Sequence, residues 1–326
     1  MVVVRVRGNA LPHGEFVDLY ADGDRWTTDP VRGAEVLAEG WLLPGLVDAH
    51  THPGAEAPGD PLDEQVLRGQ LRQHVDAGVT LIRAPGLAGE PPPWFGTDAD
   101  LPRAWHAGPW LAQQGQFFDG WGRRADHDEL PALAAAQAAR TGWAKIIADW
   151  DVEDDVLPLD VLTAVVKAVH AAGGAAAVAA GVDSVEHGIC LDPALLTRMA
   201  DHGIALTPTL SVIQAGLRTA HDRPDGPRKR WYLGGARSHA GLAATAAEAG
   251  VVVLAGTDSV PHGRISDEIR ALAAAGIRPH DALAAASWQA RAFLGLPGLE
   301  PGAPADAVVY AEDPRLDLDQ LDHPAR

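Results

Sequence analysis

Two histidines one residue apart, His50 and His52, close the run Leu42-Leu43-Pro44-Gly45-Leu46-Val47-Asp48-Ala49-His50-Thr51-His52. Read as a strand, the alternation of side chains puts both imidazoles on one face. Two neutral imidazoles projecting together from a strand end can grip one transition-metal ion. Three further apolar runs carry side chains of the same chemical kind. Lys145 lies within Trp143-Ala144-Lys145-Ile146-Ile147, where an unpaired ammonium is expensive. His187 follows Ser184-Val185-Glu186, and Asp258 ends Val253-Leu254-Ala255-Gly256-Thr257-Asp258. Each has a plainer role when taken alone. A strand-end histidine hydrogen-bonds at a surface, Asp258 caps a following helix, and Lys145 pairs with Asp149 or Asp151. Independent plain causes would not select strand ends in the order His/His, Lys, His, Asp.

The elements that must position these groups follow from the hydrophobic pattern. Short alternating runs at 2–6, 15–20 and 34–39 are separated by the turn residues Gly8-Asn9, Asp22-Gly23 and Gly33, which predicts a small β-structure. From Leu46 onward the pattern changes. Strands are expected at 46–50, 79–83, 109–112, 144–148, 184–187, 204–208 and 251–255, with Ala/Leu-rich helices between them. Repeated β-then-α units imply parallel strands, and at this length a (β/α)8 TIM-like barrel is favoured over an open sheet. No Gly-x-Gly-x-x-Gly follows the first strand, which speaks against a dinucleotide-binding sheet. Barrel enzymes place their active residues at the carboxyl ends of strands, which is where the groups above fall. The tail turns β-like again at Ala307-Val308-Val309-Tyr310 and is expected to pair with the N-terminal segment. The division expected is therefore a composite β-sandwich domain from 1–45 and 297–326 around a (β/α) barrel at 46–296.

The composition excludes several classes. A formal net charge of −18 across 326 residues would repel nucleic acid. No apolar run approaches the ~20 residues that span a bilayer. The N-terminal run lacks the apolar core of a signal peptide, so a cytoplasmic location is the default expectation. A single cysteine, Cys190, excludes an intrachain disulfide and a multi-cysteine zinc cluster.

The assembled segments resemble the amidohydrolase superfamily, in particular its imidazolonepropionase- and prolidase-like branch. The resemblance is carried by Leu43-Pro44-Gly45-Leu46-Val47-Asp48-Ala49-His50-Thr51-His52, Gly78-Val79-Thr80-Leu81-Ile82-Arg83, Trp143-Ala144-Lys145-Ile146, Gly181-Val182-Asp183-Ser184-Val185-Glu186-His187-Gly188, Thr207-Pro208-Thr209-Leu210 and Ala255-Gly256-Thr257-Asp258. It implies hydrolysis of a carbon–nitrogen bond in an amide or cyclic amide of a small-molecule substrate. It further implies zinc, or another divalent metal such as manganese, held by His50, His52, a carboxylated Lys145 and Asp258. His187 would serve a second ion. A metal-activated water would attack the carbonyl, with Asp258 as general base and then acid.

The chain departs from that pattern after Gly174. The resemblance implies a fifth strand with a metal-binding histidine, followed by a helix, before Asp183. A parallel crossover alone needs roughly 10–12 residues, so strand five is expected to be absent or shortened, with 175–181 as the end of the fifth helix. One firmly held ion rather than two is the consequence. The loss also supports the rival reading, a catalytically degenerate barrel retained for binding or structure. A mononuclear deaminase fits less well, because it needs no strand-four lysine. Arg83 and His262 are candidate substrate contacts, although an ion pair for Arg83 and a solvated loop for His262 explain them equally or better. Trp94, Phe95, Trp110, Phe117, Phe118, Trp121 and Trp150 would line an apolar pocket or simply pack long loops. His74, His106, His202 and His239 receive no role, and association into a homo-oligomer is left open.

Overall fold

The computed structural model describes residues 4–150, 152–177, 182–220 and 222–325. Both chain ends contribute to one five-stranded sheet, in the spatial order Ala307–Tyr310, Glu35–Pro44, Val4–Ala10, Glu15–Asp22 and Arg25–Thr27. Its register pairs buried residues with one another. Val6 faces Leu19, and Val309 faces Leu42. With Trp26 and Ala303 these side chains form a separate small core. The expected pairing of tail and N-terminal segment is therefore present as a sheet.

The remainder is an α/β, TIM-barrel-like arrangement. Three parallel strands pair in the order Leu46–Asp48, Val79–Ala84 and Arg103–His106. Six more pair in the order Ala205–Thr207, Ser184–Glu186, Ala175–Ala177, Trp143–Ile147, Leu111–Gln113 and Arg123–Ala125. Isolated bridges and backbone hydrogen bonds link the two sheets. Leu87 bridges Pro109, Leu206 bridges Val253, and the Ala49 N–H donates to the Ala255 carbonyl at 2.8 Å. The run 251–255, expected as a strand, makes these contacts on both sides with only one bridge of its own.

The helices cover this sheet through regular apolar faces. Glu64–Asp76 buries Leu67, Gln70, Leu71 and His74, a three-and-four spacing that marks one helical face. Asp63 caps it by accepting from the backbone N–H groups of Gln65 and Val66. Leu130–Thr141 ends at Gly142 in the left-handed conformation, a usual helix stop. Among the described residues no helix is long and apolar enough to cross a membrane.

The fifth strand requires a correction. Ala175–Ala177 is not a helix end but a strand, paired in parallel to Trp143–Ile147 on one side and to Ser184 on the other. Its place in the sheet is kept. Only residues 178–183 separate Ala177 from its paired neighbour Ser184, far fewer than the dozen or so that a crossover helix needs. The interval is too short for that crossover helix. Residues 178–181, part of the run assigned to the helix, lie outside the described residues.

Candidate metal centre

The chain turns after Leu46–Asp48 bring His50 and His52 to the end of the parallel strands, beside the turn that carries Asp258. Asp48 ties the two turns together. Its carboxylate accepts from the Thr257 hydroxyl at 2.6 Å, the Thr257 N–H at 3.0 Å and the His50 N–H at 3.2 Å. The Asp258 N–H donates to the His50 carbonyl at 2.8 Å. Between them Gly256 is obligatory on packing grounds, since a Cβ there would lie 2.5 Å from the His50 Cβ. Asp258 and His187 both adopt positive φ, 47° and 62°. Non-glycine residues held this way are a form of strain that clusters at functional sites.

The tautomers of the two imidazoles follow from their outer hydrogen bonds. His50 Nδ1 lies 2.5 Å from Glu186 Oε2, and His52 Nδ1 lies 2.7 Å from the Gly86 carbonyl oxygen. Both partners only accept, so both Nδ1 atoms carry the proton. Burial holds His50 well below the usual histidine range and His52 down at about 4, so neither ring is charged at neutral pH. Their Nε2 lone pairs therefore face one another at 3.0 Å. Two lone pairs at that distance repel unless a cation lies against both. Asp258 Oδ1 stands 3.4 Å from His52 Nε2 and 4.0 Å from His50 Nε2. His50, His52 and Asp258 are the group whose ligand atoms all lie within 4.8 Å of one another. Nitrogen–nitrogen–carboxylate donors with outward N–H groups anchored on oxygen are the pattern of a metal-binding site.

Lys145 and His187 border this group. Lys145 is buried, and among the described residues it makes no hydrogen bond or ion pair. Burial lowers its ammonium pKa, with Arg83 acting in the same direction and Glu186 opposing. The plainer expectation, a pair with Asp149, is not realised; Asp151 lies outside the described residues. His187 Nδ1 sits 2.8 Å from the Thr209 hydroxyl, and its Nε2 is 3.9 Å from Asp258 Oδ2. It stands at the edge of the site, outside the close group. Burial pushes the Asp258 carboxyl up to about 7, while Lys145 pulls it down.

Arg83, a candidate substrate contact, is engaged within the protein. It is shut away from solvent, with Nη2 2.8 Å from Glu186 Oε1, Nε donating to the Ala49 carbonyl at 2.8 Å and Nη2 to Thr207 at 3.0 Å. The ion-pair alternative is the one realised. His262 is neither solvated nor turned to the ligand group. It is buried, with Nδ1 3.0 Å from the Thr51 hydroxyl and its ring against His74. Of the aromatic residues, Trp110 stacks on Trp121 at 5.0 Å and also meets His52 at 5.0 Å. Phe117 and Phe118 pack on Trp150, so these side chains form a mutual cluster against the site. Gly86 fits under the Trp110 indole, where a Cβ would lie 2.1 Å from Nε1.

Three acids were passed over in the sequence. Glu186 anchors His50 and Arg83 together; although burial opposes its ionisation, both partners hold it well below the usual carboxylate range. Asp48 and Glu268 are likewise fully buried. Glu268 accepts from the N–H groups of Leu210 and Ser211 at 2.8 and 2.7 Å, fixing the start of the helix that follows Thr209. An acid inside an apolar strand, as in Ser184-Val185-Glu186, was the signal available for Glu186.

The Amidohydrolase family model matches residues 41–324. An uncharacterised protein of Mycobacterium tuberculosis and one of Mycobacterium bovis are each 38% identical, with 99% of this chain and 93% of theirs covered. The match extends over 351 positions, more than the 326 residues here, so these relatives hold residues without counterpart in this chain. Among solved structures, a Xaa-Pro dipeptidase with methionine bound in its active site superposes with a TM-score of 0.81 at 19% identity, covering 99% of this chain and 97% of that one. Ochratoxinase of A. niger does so at 0.78 and 19%, covering 99% and 92%. These likenesses speak for the fold. Together with the family match over most of the sequence, they make the chain a member of the amidohydrolase family of metal-dependent hydrolases.

Proposed function

We propose that the protein hydrolyses a carbon–nitrogen bond, in an amide or cyclic amide, with one firmly held divalent ion. The observation that carries this reading is the pair of facing Nε2 lone pairs 3.0 Å apart, beside Asp258, with both rings locked by acceptors on their outer nitrogens. His50, His52 and Asp258 would hold the ion, zinc or manganese, with Lys145 as a further ligand in carboxylated form. Such an ion polarises a carbonyl and makes water acidic enough to attack near neutral pH. The residues supply the rest. Burial disfavours the ammonium of Lys145 and so favours the neutral amine, the form that would take up carbon dioxide and release a proton to give a carbamate. Asp258, with a carboxyl pKa raised toward neutrality, takes a proton from water and returns it to the leaving nitrogen. Glu186 and the Gly86 carbonyl keep the imidazoles oriented. Trp110 closes one side of the site against His52.

One ion is favoured because strand five, Ala175–Ala177, and the residues Val178-Ala179-Ala180-Gly181 after it carry no ligand-type side chain. His187 would then serve the substrate or leaving group. The strands 46–255 would close as one barrel, with 1–45 and 297–326 forming the accessory β-domain. The test is a panel of dipeptides and N-acyl amino acids assayed with added zinc or manganese. Turnover abolished by Asp258→Asn supports the reading. No turnover and no metal uptake would leave the binding or structural alternative instead.

A further inference from the structure

His187 is held differently from the two histidines of the ligand group. A histidine that ligates a metal nearly always donates its outer ring N–H to a carboxylate, a carbonyl or water, which fixes its tautomer. His50 and His52 meet that requirement through Glu186 and the Gly86 carbonyl. The Nδ1 of His187 instead lies 2.8 Å from the Thr209 hydroxyl, a group that can donate or accept. Its Nε2 stands 3.9 Å from Asp258 Oδ2, beyond hydrogen-bond reach. Its side chain is 36% exposed, against 1% for His50 and 20% for His52. His187 is therefore the histidine of this group most open to an incoming molecule.

The Thr209 hydroxyl is placed by a turn that the chain would not adopt unaided. Thr209 is β-branched, wholly buried and held at φ 49°, a left-handed conformation that a branched side chain resists. Two buried side chains from other helices clamp the residues on either side of it. His239, in Pro227–Glu248, donates its Nε2 proton to the Pro208 carbonyl at 2.7 Å. Glu268, in Ile265–Ala274, accepts from the N–H groups of Leu210 and Ser211. The His187 N–H donates to the Thr207 carbonyl at 2.9 Å, so both its main chain and its ring are tied to the run 207–209. Strain that the surrounding structure maintains in this way clusters at functional positions.

We propose that Thr209 is the positioning residue of His187, and that the pair forms a hydrogen-bonding arm for the scissile amide rather than part of a second metal shell, a role that rests on the proposed hydrolysis. The hydroxyl keeps Nδ1 satisfied in either tautomer, which leaves Nε2 able to donate to the substrate or to accept from it. The test is nitrogen-15 NMR of the histidine rings in the full chain, with the His187 signals identified by their loss in His187→Gln. Thr209→Val should move the His187 ring signals and leave those of His50 and His52 in place, whereas Thr209→Ser should keep the wild-type signals. One equivalent of zinc should shift His50 and His52, and a second should leave His187 with the signals of an unligated ring. With a dipeptide that the wild type hydrolyses, Thr209→Val should lower kcat about tenfold, the worth of one hydrogen bond, at unchanged zinc affinity. The spectra need no turnover, so they separate failure of the positioning role from failure of the hydrolytic reading. His187 signals unmoved in Thr209→Val, or moved by the second equivalent to those of a zinc-bound ring, would each overturn the proposal. The zinc titration is made on the wild type and holds whether or not Thr209→Val folds.

Discussion

Replacing Glu186 with Gln isolates the role of a single buried charge. The side chains of Glu186 and Arg83 are each 1% exposed, and the carboxylate serves His50 Nδ1 at 2.5 Å and Arg83 Nη2 at 2.8 Å, with the Ser184 hydroxyl also donating. Gln preserves the shape but removes the charge and turns an NH2 toward one of three donors. Arg83 is then a buried cation without a counter-charge, left with neutral partners such as the Ala49 carbonyl, the Thr207 hydroxyl and the Trp143 ring. Breaking a buried pair by removing one partner costs about 3–5 kcal/mol, a large part of the roughly 5–15 kcal/mol available to a folded domain. The same change releases the ring of His50. Loss of such an outer partner typically weakens metal binding by about 10–100-fold. Urea unfolding of the wild type, Glu186→Gln, Arg83→Met and the double variant measures the first effect, and zinc competition against a chelator measures the second. The double variant should be less destabilised than the sum of the two singles, because it leaves no unpaired charge. An unfolding free energy within about 0.5 kcal/mol of wild type, together with unchanged zinc affinity, would refute the assignment of Glu186.

Three further outcomes follow from the same geometry. Gly256→Ala places a methyl 2.5 Å from the His50 Cβ and 2.6 Å from the Thr207 Cγ2, so it should destabilise the fold by about 1–3 kcal/mol and weaken zinc binding; a variant matching wild type in both refutes the packing argument. Burial pushes the Glu268 carboxyl from 4.5 up to about 7, so its contribution to stability is complete below pH 4.5 and is lost as the pH rises through 7. The shift corresponds to about 3 kcal/mol; Glu268→Gln should flatten the stability–pH curve across that window, and a wild-type slope in the variant counts against it. Chelation should lower the thermal midpoint and excess zinc should raise it, by about 2.7 kcal/mol of stability at a hundredfold excess over Kd; a midpoint indifferent to both would remove the metal from the account.

Much of the fold was legible because its signals are local. Parallel strands buried on both faces read as short apolar runs, and their ends in His, His, Lys, His and Asp stood out against that background. The fifth strand was misread for a physical reason: Ala175-Ala176-Ala177 has no β-branched residue, and alanine favours helix. Its neighbours on both sides hold it in the sheet regardless. His262 was misplaced because a histidine in a Pro-Gly-flanked loop looks solvated; its burial comes from His74 and Thr51, distant in sequence.

The sequence by itself determined the chemistry on offer: an His-x-His pair, a lysine in an apolar run and an aspartate closing Gly256-Thr257-Asp258, each delivered by a buried run. Only the tertiary structure decided how these groups are poised. The tautomers of His50 and His52 depend on Glu186 and Gly86, residues 136 and 34 positions away. Which acid pairs with Arg83, and which histidine stands outside the ligand group, likewise depends on distances across the sheet. Periodicity records which face a side chain takes within its own element, whereas proton positions and charge states are set by partners that the chain brings together from far along its length.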